Sequence, residues 1–544
     1  MSLTRLLTVA GLLLAPITAL ADTYYVDGGA AGGGDGSQLT PFQSVQAAID
    51  AASTGDTVQI AAGTYIENLT CNKGITLQGE DAETTILDGD ASGSVLTASS
   101  FSGTIVLQDL TVTNGSAESG GGILFNSCTA EVRDCHVVGN VCSGGLGSGG
   151  AIEGVSTSLT LDNCVVSENT GSSLTAGVYV YSGTLLATNC TLEDNDASAF
   201  DVASATSMIV RGCSIRRNSS SYGGAFYVSG VPSYLIADCV LSDNTAYYGS
   251  GAVFSESSSG TIENCLVSGN TVTSASSVDF SALRFTGGSG SVAVRHCTVT
   301  ANTSTQTAAI SVNTGSSVTV VSSIVWGNTP SQISSSGTLD VTYSNVEGGQ
   351  AGTGNINSDP LFVDSAGGDY RLGTGSPCID AGTTVSDPPT TDFEGDPRSV
   401  DGDSDSTATP DMGCDEFDLL VALSGTRETG QTIHFDAMAP PAFEDHFVQV
   451  FFSLTSGSVS GGLTVPNSGG QKLMLDVDAL FNEMLALSAY FRVQLDASGT
   501  GATSDVVIPA GAPTGVSLYF AGLSWDLGSP GTFDFTPTQE IVLQ

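Results

Sequence analysis

Short runs in which apolar and polar residues alternate follow one another through most of the chain. Segments such as TVQI and SLTLDN place an apolar residue at every second position. A period of two is typical of β-strands with one buried face, whereas an amphipathic helix spaces its apolar residues three or four apart. Between residues 104 and 342 the pattern therefore predicts a stack of short strands rather than a helical or leucine-rich solenoid.

A motif of the form Cys-x-[VIL]-x-x-Asn marks each repeat of this region. Its cysteines lie at positions 135, 164, 190, 213, 239, 265 and 297, in steps of 29, 26, 23, 26, 26 and 32 residues. QDLTVTN and SSIVWGN flank the series as variants without the cysteine, and a second mark, such as GGAI or SGAV, lies between successive motifs. Because one such repeat cannot bury a face alone, the repeats must stack. The fold class is therefore predicted to be all-β, with a parallel β-helix over residues 104–342.

Residues 22–103 are predicted to form an N-terminal cap and the first coils. The apolar residues Phe42, Val45, Ala48 and Ile49 have helical spacing, and the strand-like segments TVQI and GITLQG follow them. The end of a solenoid would otherwise expose apolar interior and unpaired strand edges. We therefore expect a short helix that covers the first coil.

The repeat motifs resemble those of known families. GGAI followed by Cys-x-[VIL]-x-x-Asn looks like the GGAI and FxxN repeats of polymorphic outer-membrane proteins, and the entry segment is similar to that of pectin-lyase-like right-handed β-helices. This resemblance covers about residues 22 to 365 and implies a right-handed solenoid. It is weakly specific for any activity.

Two further regions follow the repeats. Residues 343–417 contain YSNVEGG, NINSDPLFVD, SPCIDAG and DMGCDEF, and resemble the choice-of-anchor Q domain of exported β-helix proteins, which implies surface attachment. Residues 418–544 alternate strand-like segments such as VQVFFSL with Gly/Pro turns, which predicts a separate C-terminal β-sandwich.

The N-terminus and the charge indicate where the chain works. Residues 1–21 combine Arg5, an apolar stretch and Ala19-Leu20-Ala21, which predicts a cleaved signal peptide and an extracellular or surface-attached protein. Without Arg5 the formal charge is 12 − 56 = −44, which argues against nucleic acid or anionic membranes as partners. The acidity fits a salt-adapted surface, calcium sites or a well-solvated exterior. No later stretch is apolar for long enough to span a membrane. We also expect the protein to be a monomer.

The cysteine and asparagine of the motif are predicted to be structural. Strand side chains alternate, so the seven repeat cysteines should form one internal file of buried thiols rather than a metal array or a chain of disulfides. The asparagine five residues later should stack at a turn, since asparagine tolerates the left-handed conformation and its amide can bond neighbouring coils. Asn114 and Asn328 are expected to join this ladder.

A pair of cysteines and an acidic segment lie outside the repeat. Export favours a disulfide between Cys378 and Cys414, whereas two free thiols there would contradict it. DGDSDSTATPD contributes Asp401, Asp403, Asp405 and Asp411, oxygen ligands that suit calcium, although an acidic solvated loop explains them equally. We expect no required cofactor, with Ca²⁺ as the one candidate ion.

The GGAI-type strands supply the candidate binding surface. Their first outward positions are Leu124, Glu153, Tyr179, Asp201, Tyr227, Phe254, Arg284 and Ser311. Their second outward positions are Asn126, Val155, Tyr181, Ala203, Ser229, Glu256, Thr286 and Asn313. Aromatic platforms interleaved with carboxylates suit a sugar chain. The predicted carbohydrate-binding residues are Tyr179, Tyr181, Tyr227, Phe254, Glu153, Asp201 and Glu256.

Evidence for catalysis is weak. Glu153 and Asp201 should lie about 9 to 10 Å apart, near the upper limit for an inverting glycosidase. Arg284 near Asp279 is the remaining candidate, and the signature motifs of polygalacturonases and pectate lyases are missing. His136 and His296 flank repeat cysteines and are expected to face solvent.

Three functions stay open. The preferred one is a non-catalytic protein that presents a carbohydrate- or matrix-binding face. The alternative is a polysaccharide lyase or glycoside hydrolase that acts on acidic polysaccharide. The third is a structural spacer that binds no glycan.

Overall fold

The structure is a computed structural model. It describes residues 21–144, 148–171, 177–274, 281–288, 290–385, 389–400, 402 and 407–417, and four two-residue strands between residues 517 and 542. The chain divides into two units. The first, called the β-helix unit here, comprises Met1–Pro360, Pro377–Ser399 and Thr409–Glu416, and the second comprises Leu361–Ser376, Val400–Ala408 and Phe417–Gln544. The expected signal peptide and C-terminal sandwich lie almost entirely outside the described residues.

Three parallel sheets form the β-helix unit, and the chain passes from sheet 1 to sheet 2 to sheet 3 in each coil. Among the described residues, sheet 1 has 13 strands: Thr23–Val26, Thr57–Ile60, Thr76–Gln78, Thr104–Gln108, Thr129–Arg133, Ser158–Asp162, Thr184–Thr188, Ser207–Arg211, Tyr234–Ala237, Gly260–Glu263, Ser291–Arg295, Ser317–Val321 and Thr338–Thr342. Sheet 2 has 12: Gly63–Ile66, Thr85–Asp88, Thr111–Thr113, His136–Val138, Val165–Ser167, Thr191–Glu193, Ser214–Arg216, Val240–Ser242, Leu266–Ser268, Thr298–Thr300, Ile324–Trp326 and Asn345–Val346.

Sheet 3 carries the GGAI-type strands. Its 14 described strands are Leu69–Cys71, Leu96–Ser99, Ile123–Asn126, Ile152–Val155, Val178–Tyr181, Phe200–Ala203, Ser219–Ser220, Phe226–Ser229, Thr245–Ala246, Ser250–Glu256, Thr271–Val272, Ser281–Thr286, Thr303–Val312 and Thr329–Ser335. A small parallel sheet pairs Ser116–Ala117 with Val141–Cys142. The parallel β-helix predicted from the repeats is thereby confirmed.

A helix, Val45–Ala51, lies at the start of the β-helix unit, as the apolar spacing predicts. Its buried face consists of Val45, Ala48 and Ile49. The side chain of Ser44 accepts a hydrogen bond from the backbone N–H of Ala47, which caps the N-terminus. The carboxylate of Glu67 also accepts the N–H of Val45 at 2.8 Å, so the connection between the strands Gly63–Ile66 and Leu69–Cys71 holds the helix in place.

Left-handed residues form the corners of the coils. The residue before each repeat cysteine and the residue before each ladder asparagine have positive φ, as at Asp238 (φ 54°) and Asp243 (φ 55°) of one coil. Short polar residues and glycine predominate at these corners, because they tolerate this conformation best. The expectation that the ladder asparagine itself takes it is therefore wrong by one residue.

The asparagine ladder is confirmed as a continuous hydrogen-bonded file. In one step, the backbone N–H and the side-chain amide of Asn218 both donate to Oδ1 of Asn244 at 3.0 Å. The same pattern runs from Asn140 to Asn328, whose amide donates to Gln332 at 2.7 Å. Asn328 thus joins the ladder as predicted.

Asn114 does not join this ladder. Thr113 pairs with Val138, so the residue in register with Asn140 is Gly115, whose N–H donates to Oδ1 of Asn140 at 2.9 Å. Asn114 is exposed instead.

The seven repeat cysteines are buried thiols, as predicted. Cys378 and Cys414 are also buried thiols rather than a disulfide, so that expectation is wrong. Sγ of Cys378 accepts a hydrogen bond from the amide of Asn345 at 3.1 Å, whereas the N–H of Cys414 donates to Thr298 Oγ1 at 3.1 Å. Thr298 and Asn345 lie two coils apart in sheet 2, about 10 Å along the stack, so the two cysteines pack against different coils.

The second unit is described by short antiparallel pairs. Phe362–Asp364 pairs with Asp369–Leu372, Ser517–Leu518 with Ile541–Val542, and Ser524–Trp525 with Phe535–Thr536. Across the described parts of the chain, no helix has the length and apolar character needed to cross a membrane.

Candidate functional site

The outer face of sheet 3 has the register that the repeats predict. Glu153, Tyr179, Asp201 and Tyr227 are paired in consecutive coils, and the same row continues through Phe254, Arg284 and Ser311. The alternate residues, such as Phe200 and Phe226, are fully buried in the core. Strand alternation therefore directs both predicted rows away from the interior.

The first row is nevertheless largely covered. Glu153, Tyr179, Asp201 and Phe254 are only 5%, 8%, 6% and 6% exposed. The cover at Glu153 comes from connections that lead into sheet 3, because its Oε2 accepts the N–H of Gly120 at 2.9 Å and that of Gly149 at 3.1 Å. These residues point outward as predicted, but they do not form an open binding surface.

Asp201 is the most isolated acid in this row. It lies between Tyr179 and Tyr227, and its Oδ1 has no hydrogen-bond partner among the described residues. Burial raises the pKa of the Asp201 carboxyl to about 8. The group therefore carries a proton at neutral pH.

Five aromatic residues form a contiguous cluster on sheet 3 and its entry connections. We call them the aromatic patch: Tyr222, Tyr227, Tyr247, Tyr248 and Phe254. Ring centres are 4.4 Å apart for Tyr247 and Tyr248, 5.9 Å for Tyr248 and Tyr222, 6.5 Å for Tyr222 and Tyr227, and 5.3 Å for Tyr227 and Phe254. Tyr222, Tyr247 and Tyr248 are 42%, 52% and 37% exposed. The patch therefore presents tyrosine rings to solvent from two adjacent coils.

Two charged residues border the aromatic patch. The hydroxyl of Tyr227 donates to Oε2 of Glu256 at 2.8 Å, which fixes the carboxylate beside the ring. The guanidinium carbon of Arg284 lies 4.9 Å from the centre of the Phe254 ring, within the range of a cation–π contact. Polar groups thus lie beside the flat apolar faces.

Three patch residues are missing from the sequence prediction: Tyr222, Tyr247 and Tyr248. They precede the small-residue pairs in SYGGAF and YYGSGAV, so they belong to the connections rather than to the aligned strand positions. Aromatic residues directly before the glycine pair are the signal that identifies them. Of the predicted residues, Tyr227 and Phe254 lie in the aromatic patch, and Glu256 contacts it. The exposed Tyr181 lies outside the patch, because it pairs through Ala203 with Ser229 and is therefore two coils before the strand of Tyr227.

The structure does not bring the catalytic candidates into a shared cleft. Glu153 and Asp201 are separated by the coil of Tyr179, about 10 Å along the stack, and both are buried. The carboxylate of Glu153 holds two backbone N–H groups, which gives it a structural role. Arg284 contacts Phe254, and Asp279 lies outside the described residues.

The predicted calcium ligands are described only in part. Asp401, Asp403 and Asp405 lie outside the described residues, whereas Asp411 is buried and accepts the N–H of Asp380 at 2.6 Å. Asp411 is therefore bound into the local backbone structure.

A second acidic group lies nearby in the β-helix unit. Ligand atoms of Asp392, Glu394 and Asp415 fall within 4.8 Å of one another, a spacing that could hold a cation. Oδ1 of Asp392, however, already accepts three backbone N–H groups of the turn that follows it. This arrangement is that of a turn cap.

A cavity of about 250 Å³ lies at the corner between sheets 1 and 2. Its lining residues are His296, Thr384, Pro389, Thr390, Arg398, Ser399 and Pro410. His296 is 1% exposed, so the expectation that it faces solvent is wrong. Burial, with a contribution from Arg398, lowers the pKa of His296 to about 3, so the ring is neutral. The segment that follows the repeats covers this corner.

Comparison with known proteins defines the family and the fold. A family model described as a right handed beta helix region matches residues 49–215 and 176–347. The match ends there, so the resemblance of residues 343–417 to the choice-of-anchor Q domain stays a prediction. No curated protein matches the sequence.

Several solved structures resemble the chain. Pectate lyase Pel9A is 15% identical, with a TM-score of 0.41 and coverage of 74% of this chain and 97% of that one. A rhamnogalacturonan lyase is 14% identical, with a TM-score of 0.34 and coverage of 63% and 91%. Pectin methylesterase from carrot is 13% identical, with a TM-score of 0.28 and coverage of 65% and 96%. Structural similarities this low do not indicate an activity for this chain. The family match, by contrast, spans residues 49–347, more than half of the sequence, and the chain therefore belongs to the right-handed β-helix family.

Proposed function

We propose that the chain binds a polysaccharide or matrix glycan through the aromatic patch and does not transform it. The observation that carries this proposal is the contiguous set of exposed tyrosine rings on adjacent coils of sheet 3. Exposed aromatic residues of this size are costly on a surface unless they meet a partner, because their apolar faces remain in water.

The chemistry of the aromatic patch suits a sugar chain. Aromatic faces pack against the apolar C–H faces of pyranose rings, while tyrosine hydroxyls and the Glu256 carboxylate can bond sugar hydroxyls. The backbone that carries the rings is fixed by coil-to-coil hydrogen bonds, such as Tyr247 N–H to the Ser220 carbonyl at 2.9 Å. A platform already ordered before binding loses less conformational entropy when a glycan docks.

The rest of the proposal concerns where the protein acts. The pattern of residues 1–21 supports export, so we place the protein outside the cell or on its surface, as a monomer. The formal charge of −44 for the mature chain supports a partner other than nucleic acid. The calcium site of Asp401, Asp403, Asp405 and Asp411 stays a proposal for a loop that is only partly described.

Loss of the exposed rings tests glycan binding. We expect the wild-type chain to bind at least one polysaccharide of a panel of neutral and acidic polymers in affinity electrophoresis. Tyr222→Ala combined with Tyr248→Ala should weaken this binding at least ten-fold, because it removes two stacking faces. The matched control is Leu186→Ala combined with Ile209→Ala, which removes two exposed apolar side chains, each 39% exposed, from sheet 1.

The outcomes separate the three functions. Equal losses in the two double variants would mean non-specific adhesion, and no binding to any polymer would favour a structural spacer. Reducing ends or unsaturated products would favour the enzymatic alternative. Turnover abolished by Asp201→Asn would overturn the non-catalytic proposal.

A further inference from the structure

We infer that the aromatic patch selects electrically neutral glycan chains over uronate-type polyanions. This inference rests on the proposed function and specifies the chemical class of its ligand. It follows from the charges that surround the tyrosine rings on sheet 3.

Acidic residues dominate the segments that form this face. Between residues 114 and 312, the described stretches that run from the end of each sheet 2 strand to the end of the following sheet 3 strand contain two basic residues, Arg217 and Arg284. The acidic residues of the same stretches are at positions 118, 153, 168, 194, 196, 201, 243 and 256, and all of them except the protonated Asp201 count as negative charges. A polyanion laid along sheet 3 would therefore meet charges of its own sign over several coils, and this repulsion lowers its affinity.

The basic residues of the neighbouring coils are committed elsewhere. Arg216 forms an ion pair with Glu193 at 2.7 Å, and Arg217 forms one with Asp194 at 2.7 Å, both around sheet 2. Arg284 itself lies over the Phe254 ring. Recognition of a carboxylate-bearing sugar usually employs arginine or lysine aimed at the ligand. Of the two charged residues that border the patch, Arg284 lies against the Phe254 ring and Glu256 presents a carboxylate.

Glu256 is the charge placed to discriminate. Its Oε2 is held at 2.8 Å from the Tyr227 hydroxyl and also accepts the Ser229 hydroxyl at 3.4 Å. It is therefore fixed at the edge of the aromatic patch rather than free to swing away. A sugar hydroxyl can donate to this carboxylate, whereas a sugar carboxylate can only be repelled by it.

A pair of polymers that differ only in charge tests the inference. Polygalacturonate and its fully methyl-esterified form share one backbone, and we expect the esterified form to bind at least ten-fold more tightly at low ionic strength. Added salt should strengthen binding of polygalacturonate and leave the esterified form unchanged, because salt screens repulsion. Glu256→Gln should narrow the ratio by at least three-fold, since glutamine retains an acceptor for Tyr227. Thr286→Val, one coil further in the same row, is the matched control and should leave the ratio unchanged.

Failure of the inference is distinguishable from failure of the proposed function. Equal or tighter binding of polygalacturonate, lost in the Tyr222→Ala and Tyr248→Ala double variant, would overturn charge selection and leave glycan binding intact. If neither polymer binds, a neutral β-glucan in the same assay decides. Binding that depends on Tyr222 and Tyr248 supports the inference, and its absence removes glycan binding altogether.

Discussion

At the residue scale, position and accessibility are separate properties. Asp201 and Tyr227 occupy the same row of sheet 3, and strand alternation alone directs both outward. Asp201 is covered, whereas Tyr227 reaches the aromatic patch and donates to Glu256. The alignment of repeats predicts the row, because it depends on the register. The cover depends on connections that vary in length and sequence between coils, so the repeat pattern cannot predict it.

Asp201→Asn should change how stability depends on pH. The folded-state pKa of about 8 lies above the ordinary value of 3.8, so the folded chain holds this proton more tightly than the unfolded chain. The resulting stability is fully present below pH 3.8 and is lost as pH rises towards 8. We expect the free energy of unfolding of the wild type, relative to Asp201→Asn, to fall by up to about 1.4 kcal/mol per pH unit in that window.

Urea denaturation of both proteins at pH values from 4 to 9 measures this difference. Asn replaces Asp with the same shape, so packing is retained and the comparison isolates the proton. Parallel curves for the two proteins would contradict the buried, protonated state of Asp201.

At the element scale, the strand, its corners and the asparagine ladder support one another. The left-handed residues before Cys239 and Asn244 turn the chain at both ends of a three-residue strand, Val240–Ser242. The asparagine then bonds the next coil through its side chain. This unit was predictable because its spacing is constant, with five residues from cysteine to asparagine in each motif. The variant QDLTVTN misled the prediction by one position, since Asn114 looks like the ladder residue but Gly115 holds its place.

Asn244→Ala should destabilise the β-helix strongly. Asn244 accepts both N–H groups of Asn218 and donates to Asn270 and to the Ile215 carbonyl. Removal of its amide leaves buried donors and an acceptor without partners, so we expect a loss of about 3 kcal/mol. Asn114→Gly is the matched control: Asn114 is exposed, its amide donates to Asp88, and glycine tolerates the left-handed backbone at this position (φ 56°). That change should alter the free energy of unfolding by less than about 0.5 kcal/mol.

Thermal and urea unfolding of the two variants measure how much stability each has lost. A similar small effect in both would show that the ladder accompanies the coil geometry without stabilising it.

At the scale of the whole molecule, the β-helix unit behaves as a stack in which each coil contacts its neighbours. Long-range order along the stack is carried by strand pairing, the cysteine file and the asparagine ladder. Such a stack tolerates the loss of one complete coil, because the flanking coils present matching edges. The sequence predicted this architecture from the repeat alone. It could not predict that the segment after the repeats folds back over His296, since no periodic pattern links Arg398 to Asn264, which its guanidinium contacts at 2.7 Å.

Removal of one complete coil tests whether the fold can be retained while the glycan-binding surface is lost. Deletion of residues 214–239 joins Cys213 to Val240, and Ser214 already pairs with Val240, so every sheet keeps its register. This deletion removes Tyr222 and Tyr227. Deletion of residues 136–164 joins Cys135 to Val165, which pairs with His136, and leaves the aromatic patch in place.

We expect both shortened chains to retain the circular dichroism of a β-helix and cooperative unfolding, because each has lost a complete coil. Deletion of residues 214–226 removes half a coil, breaks the register of the sheets and should leave the chain unfolded or aggregated. Of the two folded chains, only the one without residues 214–239 should lose glycan affinity, by at least ten-fold. If deletion of residues 136–164 removed binding equally, the ligand would have to contact the coil of Glu153, and the aromatic patch would be too small to account for recognition.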